Sequence, residues 1–330
     1  MSRLPKHTHE AERMGESTVI KYVVKRIVLL LPVLLGVSLI IFSIMEIAPG
    51  DPVRNLLGPD ATEVQVEQLR HELGLDKGFA ERYTTYVVNA LTKGDFGNSW
   101  RTGAPVWDDI APRLPVSLRL TTFNIIVATL LGIPLGVYSA VKQNSPGDNI
   151  MRVVSTIFVA TPTFWFGMML ILLFSLYLGW LPPGGIFVWK GYILPVVCTS
   201  VVAACRIFRM TRSSMLECIR EDYVRSARAK GVPEKVVVYR HALQNALLPV
   251  ITTIGNTFGG VLGGSTIVES VFTLPGLGSL LVLSIKAKDQ PTVIASVTFL
   301  AFFFALVMLL VDIIYAYVDP RIKAKYEKAE

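Results

Sequence analysis

The chain has 330 residues, 52% of them hydrophobic and only 17% charged, with a formal net charge of +7 and a mean hydropathy of +0.51. That balance excludes a soluble domain and fits a polytopic membrane protein. Cys198, Cys205 and Cys218 lie in or beside one apolar run without metal-ligand spacing, so they read as reduced thiols.

Residues 1–21 are polar, too long before the first apolar run for a simple signal peptide, and lack a small-residue cleavage site. They are expected to form a frayed cytoplasmic tail, in which His7-Thr8-His9 is an accident; no metal site is expected. A helix rises about 1.5 Å per residue and the hydrocarbon core is about 30 Å thick, so a span needs about 20 apolar residues. Six segments qualify: Ile27–Ala48, Val116–Val141, Val153–Leu178, Ile193–Met210, Leu247–Val268 and Val293–Val318. Arg206 and Arg209 interrupt the end of the fourth, where long side chains snorkel to the interface. The expected fold is all-α, a polytopic membrane bundle of six transmembrane helices over residues 22–318.

Lys and Arg set the orientation. With the N-terminus inside, the tail to Arg26, the 142–152 loop, the 206–241 loop and the C-terminal tail carry 6, 2, 9 and 4 of the 32 basic residues. The positive-inside bias therefore puts both termini, including the 319–330 tail, in the cytoplasm. Topology accounts for the basic surplus, so nucleic acid is not a partner.

The first outer loop, residues 49–115, is too long for a plain connection. Thr62-Glu63-Val64-Gln65 has capping-box spacing, with Val66, Leu69 and Leu73 on one face and Gly74 as a stop. A second helical pattern runs through Phe79, Tyr83, Tyr86, Val87, Ala90 and Leu91. Together they predict a small helical extracytoplasmic cap, for receptor docking, gating or packing support.

Within the spans, Gly132/Gly136, Gly255/Gly259 and Gly260/Gly264 have the small-xxx-small spacing of close helix packing. Pro134, Pro162 and Pro195 are expected to kink their helices. Asn124, Thr161, Thr163, Asn256, Thr257 and Ser265 either line a watery path or hydrogen-bond between helices. Glu46, at the outer end of the first span, and Asp51 just beyond it are candidates for an outer gate; interfacial solvation is the alternative for Glu46. Asp312 is expected to pair with Arg206 or Arg209.

Gly259-Gly260-Val261-Leu262-Gly263-Gly264-Ser265-Thr266 fails as a phosphate loop because its lysine is missing and it lies in a span. No catalytic constellation is evident, so the chain is not read as an enzyme. Between Arg212 and Arg240 the pattern is short helix, Gly231 turn, then a second helix started by Pro233. Small residues Ser226, Ala227 and Ala229 leave one side of the first helix thin enough to enter a groove.

YVRSARAKG followed by RHALQNALLP resembles the cytosolic coupling loop of binding-protein-dependent ABC importer permeases, in the peptide/nickel (dipeptide/oligopeptide) family. APGDP at 48–52, LGLD at 73–76, GDFGNSW at 94–100, RLPVSL at 113–118 and ESVFTLPGLG at 269–278 resemble it in the same order. Where the general motif has Glu-Ala-Ala, this chain has Arg225-Ser226-Ala227, with Gly231 in place. Gln244 stands at the motif's usual proline, and Pro249 follows five residues later.

The resemblance implies a half-pore that works with a second, usually different, permease, two cytosolic ABC ATPases and an extracytoplasmic solute-binding protein. It also implies a bacterial or archaeal cytoplasmic (inner) membrane. ATP and Mg would sit on the ATPases, with no cofactor on this chain. The coupling loop, residues 211–246, would meet an ATPase through Asp222, Tyr223, Ser226, Ala227, Lys230, Gly231, Val232 and Glu234. Peptides are the implied cargo, with nickel chelates, glutathione or another small solute as alternatives. A stand-alone channel or carrier is the alternative of a different class.

Overall fold

Hydropathy and capping signals translate directly into helices in the computed structural model, which describes residues 7–185 and 188–318. Among the described residues there is no named β-strand. The first helix, α1 (His7–Ile47), begins inside the expected 1–21 tail. Residues 1–6 and the expected 319–330 tail lie outside the described residues.

The loop after α1 is helical, as its caps predict. Asp51 caps α2 (Pro52–Leu57) by accepting the Val53 N–H at 2.9 Å. Thr62 and Gln65 form the reciprocal capping box of α3 (Glu63–Glu72), which buries Val66 and is followed by Gly74 at φ +66°. Then α4 (Phe79–Lys93) packs against α1. The Tyr83 hydroxyl donates to the Leu35 carbonyl at 2.9 Å, and Phe42 meets the rings of Phe79 and Tyr83 edge-on. Leu35 lies twelve residues before Ile47, about 18 Å down the helix. Helix α4 therefore runs beside α1 well before its C-terminal end rather than meeting that end alone.

After α5 (Val106–Ile110) comes α6 (Leu114–Val141), which lies along α9 (Ile193–Ile219). Gly132 and Gly136 make that approach possible: a Cβ on either would come within 2.8 Å of Ile207 or 2.6 Å of Thr211. Pro134 is accommodated inside α6. Pro195 is the third residue of α9, within the first turn, where backbone N–H groups have no helical partner, so the expected kink does not arise.

The third expected span is broken rather than kinked. Helix α7 (Pro146–Ala160) and helix α8 (Thr163–Leu170), continued by π-helix Ile171–Tyr177, meet at 101°. Pro162 lacks the N–H that would continue α7, and Thr161 before it adopts extended geometry, φ −75° and ψ 128°. Among the described residues, five helices are thus long and apolar enough to cross a membrane, or six if the bent pair counts as one span.

The fourth expected span is a continuous helix to Ile219. After it come α10 (Asp222–Ala229), α11 (Glu234–Val236), a π-helical turn (Val237–Ala242) and α12 (Leu243–Val271). The expected loop at 211–246 is therefore mostly helical extension of its two flanking spans. The described residues end with α13 (Leu277–Lys286) and α14 (Gln290–Val318), which packs on α1 and α12. Gly255 and Gly259 receive Val311 and Phe304 of α14, whereas Gly260 and Gly264 meet nothing within 4 Å. Because α14 runs beside α1, Asp312 pairs with Arg26 at 2.8 Å, not with Arg206 or Arg209.

Candidate functional site

The segment between α9 and α12 is held by an apolar cluster. Val224 and Ala227, three residues apart on α10, are buried with Met215, Val237, Val238 and Ala246. Ala227 therefore faces this chain's own bundle rather than a partner's groove. Small size made Ala227 look like a contact residue, but with Val224 three residues before it Ala227 belongs to an inward helical face. The opposite face exposes Asp222, Tyr223, Ser226 and Lys230. Partial burial holds the Tyr223 phenol above its usual pKa.

Gly231, at φ +76°, closes α10 with a Schellman turn. The Val232 N–H donates to the Ala227 carbonyl at 3.3 Å, and the Gly231 N–H to Arg228 at 2.9 Å. Across this turn Arg228 holds Glu234 through two hydrogen bonds, 3.1 and 2.7 Å, which keeps its guanidinium charged.

The polar span residues separate into three groups. Thr163 and Thr257 line one small cavity, about 100 Å³, with Thr199 and Arg206. Asn124 and Ser265 are buried in the packed interior; Ser265 donates to Leu262 and Glu269, whereas both amide atoms of Asn124 lack a partner. Thr161 donates to Ile157 at the α7–α8 break, and Asn256 is exposed. Of the outer-gate candidates, Glu46 accepts from Arg82 at 2.5 Å and Asp51 from Arg70 at 2.6 Å. Glu46 thereby ties α4 to the end of α1, and Asp51 ties α3 to the N-terminus of α2.

Three buried carboxylates escaped the sequence reading. Asp148, fully buried, receives two hydrogen bonds from Arg212, at 2.7 and 2.8 Å, and others from Ser139 and the Asn144 N–H. Its signal was Ser145-x-x-Asp148, a capping spacing at the start of α7. Glu269 accepts from Ser117 at 2.5 Å, Ser265 at 3.1 Å and the Ser279 N–H at 2.8 Å, capping the start of α13 from inside the bundle. Asp289 accepts from Ser99, the Trp100 N–H and Thr292, tying the GDFGNSW loop to the start of α14.

This helical bundle, with one broken span and a short helix on its own apolar cluster, is similar in fold to a solved ABC transporter. The inward-facing MetNI methionine ABC transporter, in its CY5 native crystal form, matches it with a TM-score of 0.56 at 20% identity, over 64% of this chain and 96% of that one.

The sequence narrows that class. Residues 132–324 match the model "Binding-protein-dependent transport system inner membrane component", and residues 19–121 match the corresponding N-terminal model. The chain belongs to this family, as an ABC importer permease of the peptide/nickel branch in the inner membrane. It is 40% identical over 306 residues to the glutathione transport system permease protein GsiC of Escherichia coli (strain K12), covering 93% of this chain and 100% of the relative. The same figures hold for the GsiC of Shigella dysenteriae serotype 1 (strain Sd197).

Proposed function

We propose that this chain supplies half of the translocation path of an importer for short peptides, beside a second and different permease. Two cytosolic ATPases holding ATP and Mg drive it, and an extracytoplasmic binding protein delivers the cargo. Both termini and the 211–246 segment lie on the cytoplasmic side, and residues 49–115 on the outer side. The observation that carries this reading is α10. Its apolar side is seated on the bundle through Val224 and Ala227, so a push on Asp222, Tyr223, Ser226 or Lys230 is transmitted to α9 and α12. Thr163 and Thr257, with Arg206, are the residues of the path, and Glu46 and Asp51 act at its outer mouth. Glutathione is a second reading, favoured by the 40% identity to the GsiC permeases, and it is itself a small peptide.

Reconstituted vesicles containing the two permeases and two ATPases test this. Labelled dipeptide, oligopeptide and glutathione are offered with the binding protein, and uptake and ATP hydrolysis are read together. Gly231→Val is expected to leave assembly and hydrolysis largely intact while uptake falls, because a β-branched residue at φ +76° distorts the turn after α10. Uptake of any of these cargoes by the permeases without the ATPases would identify a solitary carrier instead.

A further inference from the structure

Three cavities follow one another along the cap-side half of α1. The deepest, about 230 Å³, is lined by Leu31, Leu34 and Leu35 of α1, Ala90 and Leu91 of α4, and Phe302 of α14. The next, about 400 Å³, shares Tyr86 and Phe96 with it and adds Phe42, Arg82 and Trp100. The third, about 350 Å³, shares Arg82 and Trp100 with the second and reaches Glu46, Asp51 and Lys288. The walls therefore pass from hydrocarbon, through a mixed stretch where Phe42 and Trp100 stand with Glu72, Lys77 and Asp95, to a charged end, in one direction along α1.

We propose that this groove holds one anionic phospholipid, an acyl chain between α1, α4 and α14 and the headgroup phosphate at Lys288 and Arg82. The dimensions are those of one leaflet. Leu31 to Met45 is fourteen residues, about 21 Å of helix, and half a bilayer including its headgroups is about 20–22 Å. An apolar pocket stays dry because water finds no partners there, so an acyl chain enters it without displacing bound solvent.

The polar end has donors to spare. Lys288 stands at φ +59°, a conformation rare for an L-residue, with its ammonium over Gly50. Among the described residues no ion pair engages it. Arg82 gives one guanidinium nitrogen to Glu46, but its Nε is buried without a partner. A lysine binds phosphate as a point charge. Glu46 and Asp51 on the same wall repel a dianion more strongly than a phosphodiester carrying one charge.

The test uses the assembled importer in nanodiscs of phosphatidylcholine containing a phosphatidylglycerol whose acyl chain bears a photoreactive diazirine. Cross-links are expected on peptides containing Leu31–Leu35 and Ala90–Leu91. They should be at least tenfold weaker with a diazirine phosphatidylcholine, or with Lys288→Met, and restored by Lys288→Arg. Ala90→Phe, filling the apolar cavity, should reduce labelling, while Val88→Phe on the exposed face of the same helix should not. Equal labelling by the two lipids would overturn the proposal without need of any variant. So would loss of labelling on adding millimolar inorganic phosphate, which would identify a free-anion site. Retained labelling in Lys288→Met with weakened capture of the binding protein would assign Lys288 to a protein contact and overturn it too.

Discussion

Asp148 and Arg212 meet in a two-pronged ion pair at the end of the bundle nearest α10, with the carboxylate wholly buried and the guanidinium side chain 17% exposed. Ser139 of α6 donates to the same carboxylate, so one aspartate joins the ends of α6, α7 and α9. Because α9 leads directly into α10, this junction links the broken span to the proposed coupling helix.

Asp148→Asn is expected to lower stability by about 3–5 kcal/mol, because it strands a guanidinium that has little water around it. Asp148→Asn combined with Arg212→Met should recover part of the loss, since no charge is then left unpaired. Unfolding midpoints of the purified assembly in detergent, compared across the single and double variants, check this.

Glu269→Ala removes the acceptor for Ser117, Ser265 and the Ser279 N–H at once. The unpartnered N–H alone is expected to cost about 1–3 kcal/mol, and the helix that loses its cap is α13. Faster amide hydrogen exchange over 277–286, with α6 little changed, is the expected signature.

Gly136→Ala and Gly260→Ala should behave oppositely although both replace a glycine in an apolar helix. A Cβ at Gly136 meets Thr211 at 2.6 Å and the Phe208 carbonyl at 2.9 Å, whereas at Gly260 it meets nothing within 4 Å. Overpacking is expected to cost the first about 1–3 kcal/mol. The second should gain up to about 1 kcal/mol from helix propensity. Thermal unfolding of the isolated subunit distinguishes them.

Gly231→Ala is a milder probe of the turn after α10 than the valine. An alanine in the left-handed region costs roughly 1–2 kcal/mol, and the space around Gly231 is open. The strain is therefore expected to appear as local opening, measured as faster exchange at Gly231 and Val232 N–H with no change in the core of α9.

Much of the architecture was legible in one dimension. The spans were visible because a helix in hydrocarbon must be apolar for about 20 residues, and α3 was visible because its caps are local. Pro162 was recognised as a disturbance, but not as a 101° break, because the angle depends on what α7 and α8 pack against. Ala227 stood out only as one of three small residues, and Val224 did not stand out, because small size does not say what covers a helix face. Here this chain's own Met215, Val237 and Ala246 cover it.

By itself, the sequence determined which stretches are long and apolar enough to cross a membrane and where α3 is capped. Those properties depend on composition, spacing and backbone conformation over a few residues. Only the tertiary structure decided which partner each carboxylate meets: Asp148 with Arg212, Asp312 with Arg26, Glu269 with Ser117, Asp289 with Ser99. These partners lie 64 to 286 residues apart, except that proximity in sequence would have suggested others. Packing selects them, because a buried carboxylate must find its donors wherever the helices bring them.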